Sequence, residues 1–247
     1  MKIGIISDIH SDFLSLEKAL KELKKKGYDT LVCLGDIVGY SYHYHKYFDG
    51  RDNNACVALV KESCDLVIAG NHDVYWAQKI PYYFKKLGFP ENWCSLSLSE
   101  RMEISRTKVW LYEDEEEKEI GEESKEFLSG LPETEIVPCE HFSILFTHFL
   151  YPDLTGSTRF FPEDEHDFKD HFKFQKKHKC LIGIMGHGHL QGYSITTRKT
   201  LNYYYFGKRL LEKVPQIIIG PGITRGESQN GYMLLDTAIP ELEVFSL

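Results

Sequence analysis

The sequence predicts an α/β fold, and three observations carry that prediction. The opening seventy residues alternate short apolar runs with amphipathic stretches, the order expected when helices cross over between parallel strands. Each apolar run ends abruptly in Asp, Asn or Gly, as a buried strand does where it meets a loop. Beyond Pro132 the pattern changes to a succession of strands. A chain of 247 residues with 42% hydrophobic residues can bury a sizeable core without staples. No repeat and no Ser/Gly-rich linker interrupts it, so one domain over residues 1–247 is expected.

Ile3 to Ser7 is a short apolar run closed by Asp8 and reads as the first strand. Leu14 to Lys26 places Leu16, Ala19, Leu20 and Leu23 at helical spacing, with Ser15 as the expected N-cap and Gly27 as the stop. Thr30 to Leu34 is a second strand, Asn54 to Ser63 a second helix, and Asp65 to Ala69 a third strand. From Trp76 to Leu131 the signal is helical, broken at Pro81, Pro90 and Gly121. Its densely acidic run, Glu113 to Glu119, reads as a solvated face or loop. Strands are then expected at Glu135 to Val137, Phe142 to Thr147, Leu181 to Met185, Tyr193 to Thr197, Asn202 to Phe206, Gln216 to Ile219 and Tyr232 to Asp236. The interlude from Tyr151 to Lys179 is polar, rich in His and Phe, and expected to be partly helical.

Lys and Arg total 29 against 37 Asp and Glu, a formal net charge of −8. That sign disfavours an extended nucleic-acid surface, which needs an excess of cations. A small anionic substrate remains compatible, because bound cations reverse the local field. The six cysteines contain no CxxC pair, so neither a zinc ribbon nor a thioredoxin-type motif is present. Cys33 and Cys180 lie in apolar runs and are expected to be reduced and buried. No leader pattern opens the sequence and no apolar stretch nears eighteen residues, so a cytoplasmic chain without a membrane partner is expected.

Five short segments put metal-ligating side chains where an apolar strand gives way to a loop. They are Asp8-Ile9-His10, Gly35-Asp36-Ile37-Val38-Gly39, Gly70-Asn71-His72-Asp73, Thr147-His148 and Gly186-His187-Gly188-His189. Sites of open α/β sheets form at such carboxyl ends of strands. Side chains two apart on an extended segment point the same way, which pairs Asp8 with His10 and His187 with His189. Carboxylate and imidazole without thiolate suit Mn, Fe, Zn, Co or Ni. Asp8, His10, Asp36, Asn71, His148, His187 and His189 make seven donors, too many for one tetrahedral ion. They suit two ions about 3.5–4 Å apart if one carboxylate bridges them.

These segments, in this order, resemble the calcineurin-like metallophosphoesterase pattern of DxH, GDxxG, GNH[DE], a lone His and GHxH. Gly220-Pro221-Gly222, Arg225 and Asn230-Gly231-Tyr232 resemble the tail of its small bacterial phosphodiesterase branch, as do Gly35 to Tyr40 and Leu128 to Pro132. Ser11-Asp12, Gly188 and Gly220 depart from the usual residues, and none of the three removes a ligand.

The resemblance implies two packed mixed β-sheets flanked by helices, a four-layer α/β/β/α sandwich. It implies a first metal on Asp8, His10 and His189, a second on Asn71, His148 and His187, and Asp36 as the bridge. His72 would match the family's non-ligand histidine, with Asp73 orienting it. Two divalent transition-metal ions are implied, with Mn the leading choice and Fe, Zn, Ni or Co as alternatives.

The expected reaction is hydrolysis of a small phosphorylated substrate, a phosphodiester for preference, by in-line attack of a hydroxide generated between the cations. His72 would stabilise developing charge or protonate the leaving oxygen. Monoesters, phosphoproteins and dinucleoside polyphosphates also fit such a cation pair. A non-enzymatic scaffold fits poorly, since every ligand position is filled.

Outside the ligands, Arg225 offers a planar fork to a phosphate oxygen, or else a plain surface charge. Tyr40 to His45 either lines the pocket and stacks on a base or packs on itself. His166, His171 and His178 read as a solvated helix, and Tyr203 to Phe206 as a strand with both faces covered. Oligomeric state is not legible.

Overall fold

The computed structural model describes residues 1–115 and 120–247. The expected residues Glu116 to Glu119 of the acidic run therefore lie outside the described residues. Strands follow the apolar runs: β1 (Lys2–Ile6), β2 (Thr30–Cys33), β3 (Leu66–Val67), β4 (Thr134–Pro138), β5 (Ser143–Thr147) and β6 (Ile182–Met185). The later ones are β7 (Tyr193–Thr196), β8 (Leu201–Tyr204), β9 (Gly207–Leu210), β10 (Gln216–Ile219), β11 (Gly231–Asp236) and β12 (Glu241–Ser246). One sheet runs β3-β2-β1-β11-β12-β9 and the other β4-β5-β6-β10-β7-β8. Each is mixed: β1, β2 and β3 are parallel in the first, and β5, β6 and β10 in the second.

The two sheets face each other because strand side chains alternate. Ile3 and Ile5 of β1 point inward to meet Ile144 and Phe146 of β5, Ile184 of β6 and Ile218 of β10. Ile6 points outward and packs against Leu16, Ala19 and Leu23 of α1 (Phe13–Lys26). α2 (Tyr42–His45), α3 (Asn53–Ser63), α4 (Asn71–Trp76), α5 (Tyr82–Lys86), α6 (Leu98–Ser105), α7 (Glu122–Gly130) and α8 (Lys169–Lys177) follow along the chain. Residues of α3 and α7 join the outer core of the first sheet, while Phe172 of α8 covers Ile217 and Ile219 on the outside of the second. The layers are thus helix, sheet, sheet, helix. Each isoleucine taken fully out of water contributes about 1.5–3 kcal/mol to that arrangement. Among the described residues no helix is long and apolar enough to cross a membrane.

Several local expectations change. The cap of α1 is Asp12, whose carboxylate accepts the Ser15 N–H at 3.2 Å, so Ser15 lies inside the first turn. Gly27 does end the helix, at φ 76°. Two strands escaped the sequence pattern. β9 reads Gly-Lys-Arg-Leu and is exposed throughout, because it is the edge of its sheet and needs no apolar face. β12 alternates Leu242 and Val244 inward with Glu241 and Glu243, a period of two partly hidden by its acids. Tyr203 is not covered on both faces. It lies on β8, the edge of the second sheet, and is 63% exposed. His166 is solvated, but His171 is fully buried, on the face of α8 that also buries Phe172 and Gln175. Cys33 and Cys180 are buried free thiols, as expected.

Candidate metal centre

The parallel strands deliver their ligands to one place. Asp8 and His10 follow β1, Asp36 follows β2, Asn71 opens α4, His148 follows β5, and His187 and His189 follow β6. Six of these side chains are buried, and His189 is the partly exposed one. Five of the seven hold a left-handed backbone: Asp8 at φ 51°, His10 at 46°, Asp36 at 53°, His187 at 61° and His189 at 44°. Such conformations cost on the order of 1–3 kcal/mol each and persist only when their surroundings enforce them.

The enforcing contacts are main-chain ones. Ile9 and His10 donate to the Asp36 carbonyl at 2.7 and 3.0 Å, and Asp8 donates to Gly35 at 3.0 Å. The His187 N–H donates to the Asp8 carboxylate at 3.0 Å. Glycine is required where these loops touch. A Cβ on Gly186 would lie 2.5 Å from Asp8 Oδ2, and one on Gly39, at φ 89°, would lie 2.7 Å from the His72 Cβ.

The candidate ligand atoms converge on one another. His10 Nδ1 meets the Gly39 carbonyl at 3.0 Å, and His148 Nδ1 meets that of Leu34 at 2.7 Å. Those carbonyls hold each Nδ1 and turn each Nε2 inward. His10 Nε2 then lies 3.0 Å from His189 Nε2, which lies 3.4 Å from Asp8 Oδ1. His148 Nε2 lies 3.0 Å from Asp36 Oδ2. The Asn71 amide group lies between Asp36 Oδ2 at 3.2 Å and His187 Nδ1 at 2.9 Å on one side and His72 Nε2 at 3.3 Å on the other.

Acceptors crowded together repel unless a proton or a metal ion lies between them. An ion bound at about 2.1 Å to two ligands at right angles holds them about 3.0 Å apart. The residues therefore fit metal binding, and Asp8, His10 and His189 form one compact group while Asp36, His148 and His187 form another. Burial opposes ionisation of Asp8 and Asp36, yet the facing imidazoles of His189 and His148 hold both carboxyls below the usual range. Burial, helped by His45, keeps His10 neutral, the form in which imidazole ligates.

His72 sits beside this centre, and its partner differs from the expected one. The Asp73 carboxylate accepts the N–H groups of Asp36 at 2.7 Å, Ile37 at 2.9 Å and Gly70 at 3.0 Å. It clamps two ligand loops together, and its oxygens are taken before they could orient His72. Glu115 holds His72 Nδ1 instead, and its other oxygen accepts the Trp76 indole N–H at 2.5 Å. Burial disfavours a charged His72, but Glu115 and then Asp36 outweigh it and push the imidazole up to about 9. Glu115 thus corrects the solvated reading of its stretch, its side chain being 3% exposed.

It is carried by the segment 107–115, which is stitched to residues 157–159 by Trp110 donating to Ser157 and Arg159 donating to Lys108. Tyr112 of the same segment lies with its ring 4.9 Å from that of His72. Neither Glu115 nor Tyr112 carried a sequence signal, because nothing local distinguishes one acid or one aromatic in that region from its neighbours.

Arg225 also differs from expectation. Its Nε and Nη2 donate to Asp12 at 2.9 and 3.1 Å, and its Nη1 to Asp49 at 3.1 Å. The fork that could clamp phosphate is spent on tying the tail to the cap of α1. Arg225 still borders the cleft over the candidate metal centre, a cavity of about 780 Å³ that also reaches His10, Asp36, His72, His187 and His189. Of Tyr40 to His45, Ser41, Tyr44 and His45 line that cleft, with the His45 ring 4.6 Å from His10. Tyr40 packs inward against Tyr47.

Residues 1–221 match the family model of calcineurin-like phosphoesterases. An uncharacterised protein of Methanocaldococcus jannaschii is 38% identical over 85 residues, which is 34% of this chain and 31% of that protein. A metallophosphoesterase from Sphaerobacter thermophilus has a similar fold, with TM-score 0.66 and 16% identity over all of this chain and 88% of the other. So does a hypothetical protein from Pyrococcus horikoshii, with TM-score 0.59 and 15% identity over all of this chain and 87% of that one. With its candidate ligand loops gathered at the ends of two facing sheets, the chain belongs to the calcineurin-like phosphoesterase family.

Proposed function

We propose that the protein is a dinuclear phosphodiesterase. The observation that carries this reading is the pair of ligand groups meeting at Asp36, with Asp8, His10 and His189 on one side and Asn71, His148 and His187 on the other. The nitrogen and oxygen donor set suits Mn, Fe, Zn, Ni or Co, and the family resemblance makes Mn the leading choice. Bound divalent cations supply charge neutralisation for ester oxygens and acidify water.

The chain's own residues do the rest. His72 is held at Nδ1 by Glu115, which leaves Nε2 as the nitrogen that gives its proton to the leaving oxygen. Asp73 keeps the Asp36 and Asn71 loops in register through its main-chain contacts. Tyr44, Met102 and Phe161 give the cleft apolar walls, with room for an organic group on either side of a small phosphorylated substrate. That room supports a diester over a monoester.

A panel of bis-p-nitrophenyl phosphate and p-nitrophenyl phosphate, each with Mn, Zn, Ni, Fe or Co, tests the reading. The diester is expected to turn over faster. Asp36→Asn is expected to lower turnover on the order of 10³-fold and to deplete bound metal. An untouched diester beside a cleaved monoester would sink the diesterase assignment.

A further inference from the structure

His45 closes the short helix α2 and borders the cleft over the candidate metal centre. Its ring lies 4.6 Å from that of His10, which also meets the His72 ring at 4.7 Å. Both imidazoles therefore border the end of the centre where Asp8, His10 and His189 converge, and His45 belongs to none of the ligand groups.

Packing leaves the His45 ring little freedom. Tyr40 stacks on it at 5.2 Å and 28°, and Tyr47 meets its edge at 6.3 Å. The Tyr47 hydroxyl also donates to the His10 carbonyl at 2.9 Å, so one tyrosine supports both histidines. Helix α2 is tied in turn to the wall segment, through the Ser41 hydroxyl donating to Asp114 at 2.7 Å.

The main-chain partners of the ring place its proton. The Ser41 carbonyl already accepts the N–H groups of Tyr44 at 3.2 Å and His45 at 3.0 Å. Ser41 is buried, and the acceptor that its N–H meets is His45 Nδ1, at 3.2 Å. A buried N–H needs an acceptor, so Nδ1 keeps its lone pair and the proton of the neutral ring sits on Nε2. No described residue accepts from Nε2, yet that atom is not sealed from solvent, so it opens on the cleft that the ring lines. A donor fixed in place before the ligand arrives stabilises an oxyanion without a cost of reorganisation. Arg225 does not fill this role, because its fork is spent on Asp12 and Asp49.

We propose that His45 binds substrate, its Nε2–H donating to a non-bridging oxygen of a phosphoryl group seated at the Asp8, His10 and His189 end of the centre. This role rests on the phosphoesterase reading, with His45 holding the substrate and His72 serving the leaving oxygen.

Two substitutions separate the N–H from the ring. His45→Phe keeps a ring packed on Tyr40 and His10 but removes the donor, and His45→Gln restores an N–H at similar reach. Inorganic phosphate, titrated calorimetrically into the zinc-loaded protein, is expected to bind about tenfold more weakly to His45→Phe and about threefold more weakly at most to His45→Gln. Losses in kcat/KM are expected in the same order, with bound metal unchanged. Phosphate is neither ester of the activity panel, so its affinity decides the role of His45 whichever ester the protein prefers. Unchanged affinity in His45→Phe, equal losses in the two variants, or metal lost from either would overturn the proposal. Histidine nitrogen resonances of the zinc-loaded protein test the same point without a substitution. Nε2 of His45 is expected to carry the proton and to shift when phosphate binds; a proton on Nδ1, or no shift, would overturn the assignment.

Discussion

On the floor of the cleft, five ligand residues hold a left-handed backbone, and the loops are locked to one another by main-chain hydrogen bonds and by the Asp73 carboxylate. The wall formed by residues 107–115 touches the reacting region differently, through the side chains of Glu115 and Tyr112, with its own backbone stitched to residues 157–159. The floor holds the candidate metal ligands in a strained geometry that its surroundings enforce. The wall positions His72, the proton donor of the proposed mechanism, and sets the shape of the space around it. Changes to the floor are therefore expected to affect metal content and stability, and changes to the wall to affect turnover with the metals still in place.

The largest effect that tests this division comes at the junction of the two. His72→Ala is expected to lower kcat by about 10²–10⁴-fold with metal content unchanged. Full turnover with normal metal would remove His72 from the chemistry. Glu115→Gln is expected to lower kcat by about 10–100-fold with little change in KM, and to add nothing once His72 is already alanine. Additive losses in the double variant would mean that Glu115 acts apart from His72.

Gly39→Ala strikes the floor itself, since it combines a φ of 89° with a Cβ placed against His72. A stability loss of about 1–3 kcal/mol is expected in denaturant unfolding. A neutral result would show that the loop is less tightly enforced than its contacts imply.

The smallest effect concerns a support beneath the floor. His171 accepts the Tyr151 N–H at 2.9 Å, three residues beyond ligand His148. Burial lowers this imidazole from 6.5 to about 3 in the folded state. The unfolded chain therefore takes up the proton first, and this contribution to stability is complete above about pH 6.5 and is lost as pH falls toward 3. His171→Gln should flatten the dependence of melting temperature on pH across that window. An unchanged slope would assign the acid sensitivity to other groups.

Much of the floor could be read before any fold was known. Asp8, His10, Asp36, Asn71, His148, His187 and His189 each sit in a short motif in which an apolar strand meets a loop, and a strand end is a local event. The strands themselves were legible where they are buried, as in β1 and β10, and illegible at the exposed edge formed by β9. The misreadings of Asp73, Arg225 and His171 share a cause. A side chain's type shows what it can do, but its partners decide what it does. Asp73 was given to its neighbour His72, yet the fold brings main-chain donors from the Asp36 loop to it first.

By itself, then, the sequence determined the α/β class, the candidate ligand set and the family resemblance, because each rests on periodicity or on residues within a few positions of one another. Only the tertiary structure decided that Glu115 meets His72 across 43 residues and that Arg225 is bound to Asp12 across 213. Contacts of that separation leave no local periodicity in the chain. They form when packing the two sheets and their helices brings distant loops together, and the desolvation of buried charge then selects which partner each group keeps.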